Sequence, residues 1–184
     1  LNSRDDVVAE RAFLPEGQET SLYLQAGKPL LSLESQKPLH GFHLIAFSLS
    51  FENDYPNVLK MLEWAKIPLL SEERSGNCPY VMAGGITTFL NPEPMAPFVD
   101  FFLLGEAEAN LDEFLDRILG TGLTQENRLG VKRKLAGAMG SLYVPSLYKP
   151  EYKQDGTFRS LRPVHREAPE KIRVARAEMG DTEV

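Results

Sequence analysis

Three short apolar runs constrain this chain most: residues 42–49 (FHLIAFSL), 80–83 (YVMA) and 99–104 (VDFFLL). Runs of this length and continuity suit strands buried on both faces, as in parallel sheets covered by helices. The stretches between them carry helical spacing instead. Tyr55, Val58, Leu59, Leu62 and Ala65 recur on one face after Asn53-Asp54, which can cap, and Pro56, which suits a first turn. Pro68 disfavours helix just before it, so this helix should end near Lys66. Ala109, Leu111, Phe114, Leu115 and Ile118 mark a second helix over 106–119, and a third spans 125–139, ending at Gly140. Residues 7–14 read as a short strand stopped by Pro15, and 16–40 as mixed and turn-rich. Pro92, Pro94 and Pro97 leave room for a single turn.

Strand, helix, strand, turn, strand, helix is the order of a doubly wound α/β fold, flavodoxin- or Rossmann-like, with a mostly parallel sheet. The character changes near residue 141. Segments 142–147, 152–154 and 157–161 read as strands, the last two joined by the hairpin signal Asp155-Gly156. The expected organisation is therefore an α/β domain over 1–140, a small β appendage over 141–165, and a weakly packed linker over 166–184.

Composition excludes several classes. A net charge of −6 argues against a nucleic-acid partner, because phosphate binding rests on clustered cations. The basic clusters, Lys132-Arg133-Lys134 among them, read as solvated faces. No run reaches the ~18 apolar residues that cross a bilayer, so no membrane role is expected. The single cysteine, Cys78, rules out an internal disulfide, a Cys-rich zinc site and an iron–sulfur cluster held by this chain alone. His40, His43 and His165 form no ligand spacing, so no metal site is expected. A hydrolase pair of His43 with Ser48 or Ser50 would place the histidine inside a strand, which disfavours it. No catalytic residue is assigned.

Open parallel sheets bind ligands at the carboxyl ends of their strands. That rule selects Ser48 and Ser50 after the first run, Gly84, Gly85 and Thr87 after the second, and Gly105 with Glu106 after the third. The glycines would admit a ligand to the backbone, and the hydroxyls would hold its polar edge. The same residues also suit ordinary turns and helix starts, with Glu106 complementing a helix dipole.

These segments carry a family resemblance. The stretches GFHLIAFSLSFENDYPNVLKMLEWAKIPLL, AGGITTFLNPEPMAPFVDFFLLGEAEANLDEF and SLYVPSLYKPEY resemble the N-terminal region of cobalamin-binding-domain-containing radical S-adenosylmethionine (radical SAM) proteins. The NPEP element at 91–94 and the YVPSLY element at 143–148 are its most specific parts. The expectation is a non-catalytic, cobalamin-binding-like domain that takes a corrin or nucleotide-like ligand at the carboxyl ends of the sheet, or a degenerate domain without ligand that serves as a docking scaffold for the parent protein's barrel or a protein partner. The resemblance also implies that this partner barrel holds a 4Fe-4S cluster and S-adenosylmethionine, and a cytoplasmic location. The DxHxxG motif that supplies a cobalamin ligand in some relatives is absent. The family's first strand is expected upstream of Leu1, leaving strand edges free for self-association.

Overall fold

The computed structural model describes residues 1–122 and 127–177. Its centre is a four-stranded sheet of β1 (Leu44–Ser48), β2 (Tyr80–Gly84), β3 (Phe101–Leu103) and β4 (Leu142–Tyr143), in the order β1-β2-β3-β4. The first two pairings are parallel and β3–β4 is antiparallel. A separate antiparallel hairpin, β5 (Tyr148–Tyr152) with β6 (Phe158–Pro163), forms the C-terminal appendage. The mostly parallel α/β architecture with a small β appendage is therefore as the sequence implies.

The helices are α1 (Gln18–Ala26), α2 (Tyr55–Trp64), α3 (Ile86–Leu90), α4 (Ala107–Leu119) and α5 (Arg128–Ala138). The expected start of the third long helix at Gln125 lies outside the described residues. Apolar residues spaced for one face put Val58 and Leu62 of α2, and Phe114, Leu115 and Ile118 of α4, in the core. Tyr80, Phe101 and Phe114 pack in series, tilted and then edge-to-face, with ring centroids 5.3 and 5.6 Å apart. Phe102 stacks on Tyr143 at 5.9 Å, fastening the antiparallel edge.

Several local expectations need correction. Residues 7–14 form no strand; Val8 and Phe13 are exposed, and the stretch is tied to the 30s by one backbone bond, Leu33 N–H to the Arg11 carbonyl (2.7 Å), with side-chain bonds between Glu10 and Ser35 and between Arg11 and Glu34. Strand propensity there finds no neighbouring strand to pair with, and propensity alone does not hold an extended segment in a sheet. The 42–49 run is not buried on both faces: among the described residues it pairs with β2 alone, and Ala46 and Ser48 are exposed. The turn-rich stretch contains α1, which buries no residue fully and is held by Tyr23 stacked 6.4 Å from Trp64.

Two further differences concern charge and packing. Lys132 lies inside the protein rather than on a solvated face. Its Nζ is 2.6 Å from Asp100 Oδ1, an ion-pair distance whose alignment falls short of a hydrogen bond. The described part of 166–184 is packed: Ala168 is buried, the Tyr148 hydroxyl donates to the Pro169 carbonyl at 2.7 Å, and Arg133 pairs with Glu167 at 2.5 Å. The remainder, 178–184, lies outside the described residues.

Candidate functional site

The carboxyl ends of β1, β2 and β3 lie side by side, because Ser48 registers with Gly84 and Ala83 with Phe102. All seven sequence-selected residues therefore sit at one end of the sheet. What they do there differs from expectation. Gly85 has φ of +101°, and a Cβ on it would fall 2.5 Å from the Leu49 carbonyl oxygen and 2.7 Å from its nitrogen. The glycine admits the chain's own backbone. Thr87 is buried, and its N–H and Oγ1 both donate to the Leu49 carbonyl, at 3.3 and 3.0 Å. Leu49 N–H closes the arrangement by donating to the Gly84 carbonyl at 2.8 Å.

The third loop is occupied in the same way. Gly105 has φ of +113° and bridges Ala175, whose backbone fills the space a side chain would need. Ala175 N–H donates to the Leu104 carbonyl (2.9 Å), and Glu106 N–H donates to the Ala175 carbonyl (3.1 Å). The Glu106 carboxylate accepts from Ala177 N–H at 2.6 Å. Residues 173–177 thus lie across the end of β3 as a strap. Gly84 has no such constraint, since a Cβ there would meet the Leu103 carbonyl oxygen at an ordinary 3.6 Å.

Ser48 and Ser50 are exposed beside this filled cradle. Strand order runs one way from β1 to β4, so the described sheet has no point where the order reverses, the usual position of a ligand crevice. The expected cradle for a corrin, between the glycine loops, is filled by backbone, and these residues do not fit that group there. Nor does a nucleophile–base pair assemble. His43 precedes β1 and Ser48 ends it, a separation of roughly 16 Å at the rise of a strand. Among the described residues, no group of three or more His, Cys, Asp or Glu is placed to hold a metal ion.

What the sequence reading missed at this end is apolar. Ile86, Phe89 and Leu90 of α3 are exposed, and so is Phe51, two residues beyond the Leu49 backbone that Thr87 binds. Large apolar groups gathered at one end of a sheet mark an interaction surface more often than scattered ones do. A signal was available: positions 86, 89 and 90 have the i, i+3, i+4 spacing of a helix face.

Among the described residues, no helix is long and apolar enough to cross a membrane. No curated protein and no solved structure matches the chain. A family model described as the N-terminal region of radical SAM proteins matches residues 1–145. That match takes in the whole four-stranded sheet and the apolar end of it, and it shows that this chain belongs to the radical SAM N-terminal family.

Proposed function

We propose that this chain is a non-catalytic docking domain that seats the radical SAM domain of its protein against the apolar end of the sheet. The observation that carries the reading is the exposure of Phe51 (68%), Ile86 (53%), Phe89 (43%) and Leu90 (69%) around a cradle already filled by backbone. Burying such side chains against a partner supplies roughly 1.5–3 kcal/mol each before the costs of association. Membership of the family supports the choice of partner. The 4Fe-4S cluster and S-adenosylmethionine belong, in this reading, to that partner. Residues 1–140 together with β4 form the docking unit, and the hairpin of β5 and β6 braces it.

Cobalamin is the second reading, supported by the exposed Ser48 and Ser50 hydroxyls next to the same apolar groups. A corrin would then lie on the apolar end, outside the glycine loops. The unpaired edge of β1 separately supports self-association. A cytoplasmic location is kept as part of the proposal.

The test measures binding between this chain and the separately produced radical SAM domain, by titration calorimetry. Phe51→Ser with Leu90→Ser should weaken binding at least tenfold while leaving the melting temperature of this chain within a few degrees. Unchanged affinity in the double variant would remove the apolar end from the interface. A visible-absorption titration with hydroxocobalamin decides the second reading: a saturable spectral change that the double variant abolishes would favour the corrin over the barrel.

A further inference from the structure

The hairpin of β5 and β6 differs from the rest of the chain in its charge and in what it exposes. Residues 148–163 hold four of the twenty lysines and arginines but only two of the twenty-six acids, a net of +2 against −8 for the remainder. The whole-chain charge of −6 is therefore an average that hides a basic arm, and the local footprint is what a polyanion meets. Both acids are already engaged. Glu151 pairs with Arg162 at 3.1 Å, and Asp155 accepts from the Thr157 hydroxyl at 2.6 Å. Among the described residues Lys149, Lys153 and Arg159 have no acidic partner, and the register sets Lys149 directly opposite Arg162. Like charges facing each other across a ladder cost stability, which a bound anion would offset.

Aromatic rings alternate with these cations. Tyr148-Lys149, Tyr152-Lys153 and Phe158-Arg159 are each a ring followed by a cation. Tyr148 is buried and fastens the base of the arm: its hydroxyl donates to the Pro169 carbonyl, and Val164 N–H donates to the Leu147 carbonyl at 2.8 Å. Farther out, Tyr152 (61% exposed) and Phe158 (58%) lie opposite each other, edge to face, with centroids 6.4 Å apart. That arrangement leaves ring faces open to a flat group. The register shifts between Glu151 and Tyr152, so Arg159 drops out of the ladder beside the ring pair. A bulge of this kind re-aims a side chain.

We propose that this hairpin binds single-stranded nucleic acid, with bases stacking on Tyr152 and Phe158 and phosphates meeting Lys149, Lys153 and Arg159. Every base has a flat π-face, and alternating rings and cations match a strand that offers bases and phosphates in turn. An acidic protein segment would satisfy the cations but brings no flat group for each ring. A duplex keeps its bases stacked away from them. This site is independent of the docking surface around α3, and either can fail without the other.

The test uses this chain and a fluorescein-labelled uridylate strand of about twelve nucleotides, with the deoxythymidylate strand beside it, read by fluorescence anisotropy. Saturable binding is expected, and preference for either sugar identifies the source. Affinity should fall with salt on a log–log slope of about −2, as roughly three phosphate contacts give. Tyr152→Leu with Phe158→Leu keeps apolar bulk and removes the ring faces, so affinity should drop at least about tenfold at an unchanged melting temperature. Lys149→Gln with Arg159→Gln should instead flatten the salt slope by roughly one. Full affinity in the leucine pair would overturn the proposal. So would an acidic peptide of equal charge that binds as tightly as the oligonucleotide.

Discussion

Gly105 and Ala175 are bridged in parallel so closely that the Ala175 backbone occupies the position of the side chain Gly105 lacks. Two requirements coincide there, a positive φ of 113° and close backbone approach. Gly105→Ala should therefore cost at least ~1–3 kcal/mol and lift the strap off the end of β3. Gly84→Ala, at a site with ordinary space and no positive φ, should cost well under half as much. Urea denaturation reads the stability difference. Trypsin cleavage after Arg173 and Arg176 reads the strap, and should accelerate only in the Gly105 variant.

Thr87 ties the loop after β1 to the start of α3 through a buried hydroxyl. Thr87→Val keeps the shape and removes the donor. The Leu49 carbonyl retains the Thr87 N–H, so the loss should be about 1 kcal/mol rather than a full unsatisfied acceptor. Thermal melting measures it. An unchanged melting temperature would show that the hydroxyl bond contributes nothing net to joining the two loops.

Along β1, Tyr80 N–H donates to the His43 carbonyl (2.9 Å) and Leu49 N–H to Gly84 (2.8 Å). By the alternation of a parallel ladder, odd-numbered backbone groups face β2, while those of Leu44, Ala46 and Ser48 face outward. No proline or charge protects that edge. Self-association is expected at high concentration, and Ala46→Pro should abolish it with little loss of stability, since the removed N–H bonds nothing in the sheet. Sedimentation velocity over a concentration series is the measurement. Self-association that survives in Ala46→Pro would place the contact elsewhere.

The strands at 80–83 and 99–104 and the helices bearing Leu62 and Phe114 were legible because apolar periodicity records burial directly. The free edge of β1 was legible only through the family resemblance, because FHLIAFSL has the same composition whether one or two neighbours pair with it. Among the site residues, the sequence located the loops correctly and misassigned their glycines. Positive φ at Gly85 and Gly105 was foreseeable; that Leu49 and Ala175 supply the approaching backbone is a long-range fact. The strap was hidden for the same reason. Its bonds run from backbone to backbone, so a charged, apolar-poor stretch gives no sign of them. Asp100 left a faint trace as an acid inside an apolar run, but its partners lie 26 to 32 positions away.

Asp100 is the acid on which three cations converge. Its side chain is fully buried. Oδ2 accepts from Arg74 Nη1 at 3.0 Å, from Arg128 Nη2 at 3.2 Å and from Val81 N–H at 2.9 Å, while Lys132 Nζ approaches Oδ1. Burial alone would raise the carboxyl, but Lys132, Arg74 and Arg128 outweigh it and hold the group below the usual carboxylate range. Burial likewise pulls Arg74 downward against the attraction of Asp100, yet a guanidinium starts so high that it stays charged. A carboxyl lowered on folding contributes stability that is fully present above its unfolded value near ~3.9. That contribution is lost as pH falls through the lower folded value. Asp100→Asn should cost about 3–5 kcal/mol at neutral pH, because it leaves two buried cations, Arg74 and Lys132, and the part-buried Arg128 facing a neutral amide. Its remaining stability should also fall less steeply below pH ~4 than that of the parent chain. Lys132→Met provides the milder comparison, since Arg74 and Arg128 still hold the carboxylate and one buried positive charge is removed. Urea denaturation at pH 7 and at about pH 3.5 separates the outcomes. A Met variant as damaged as the Asn variant would mean that Lys132, rather than the pair of arginines, holds the amino end of β3 to α5.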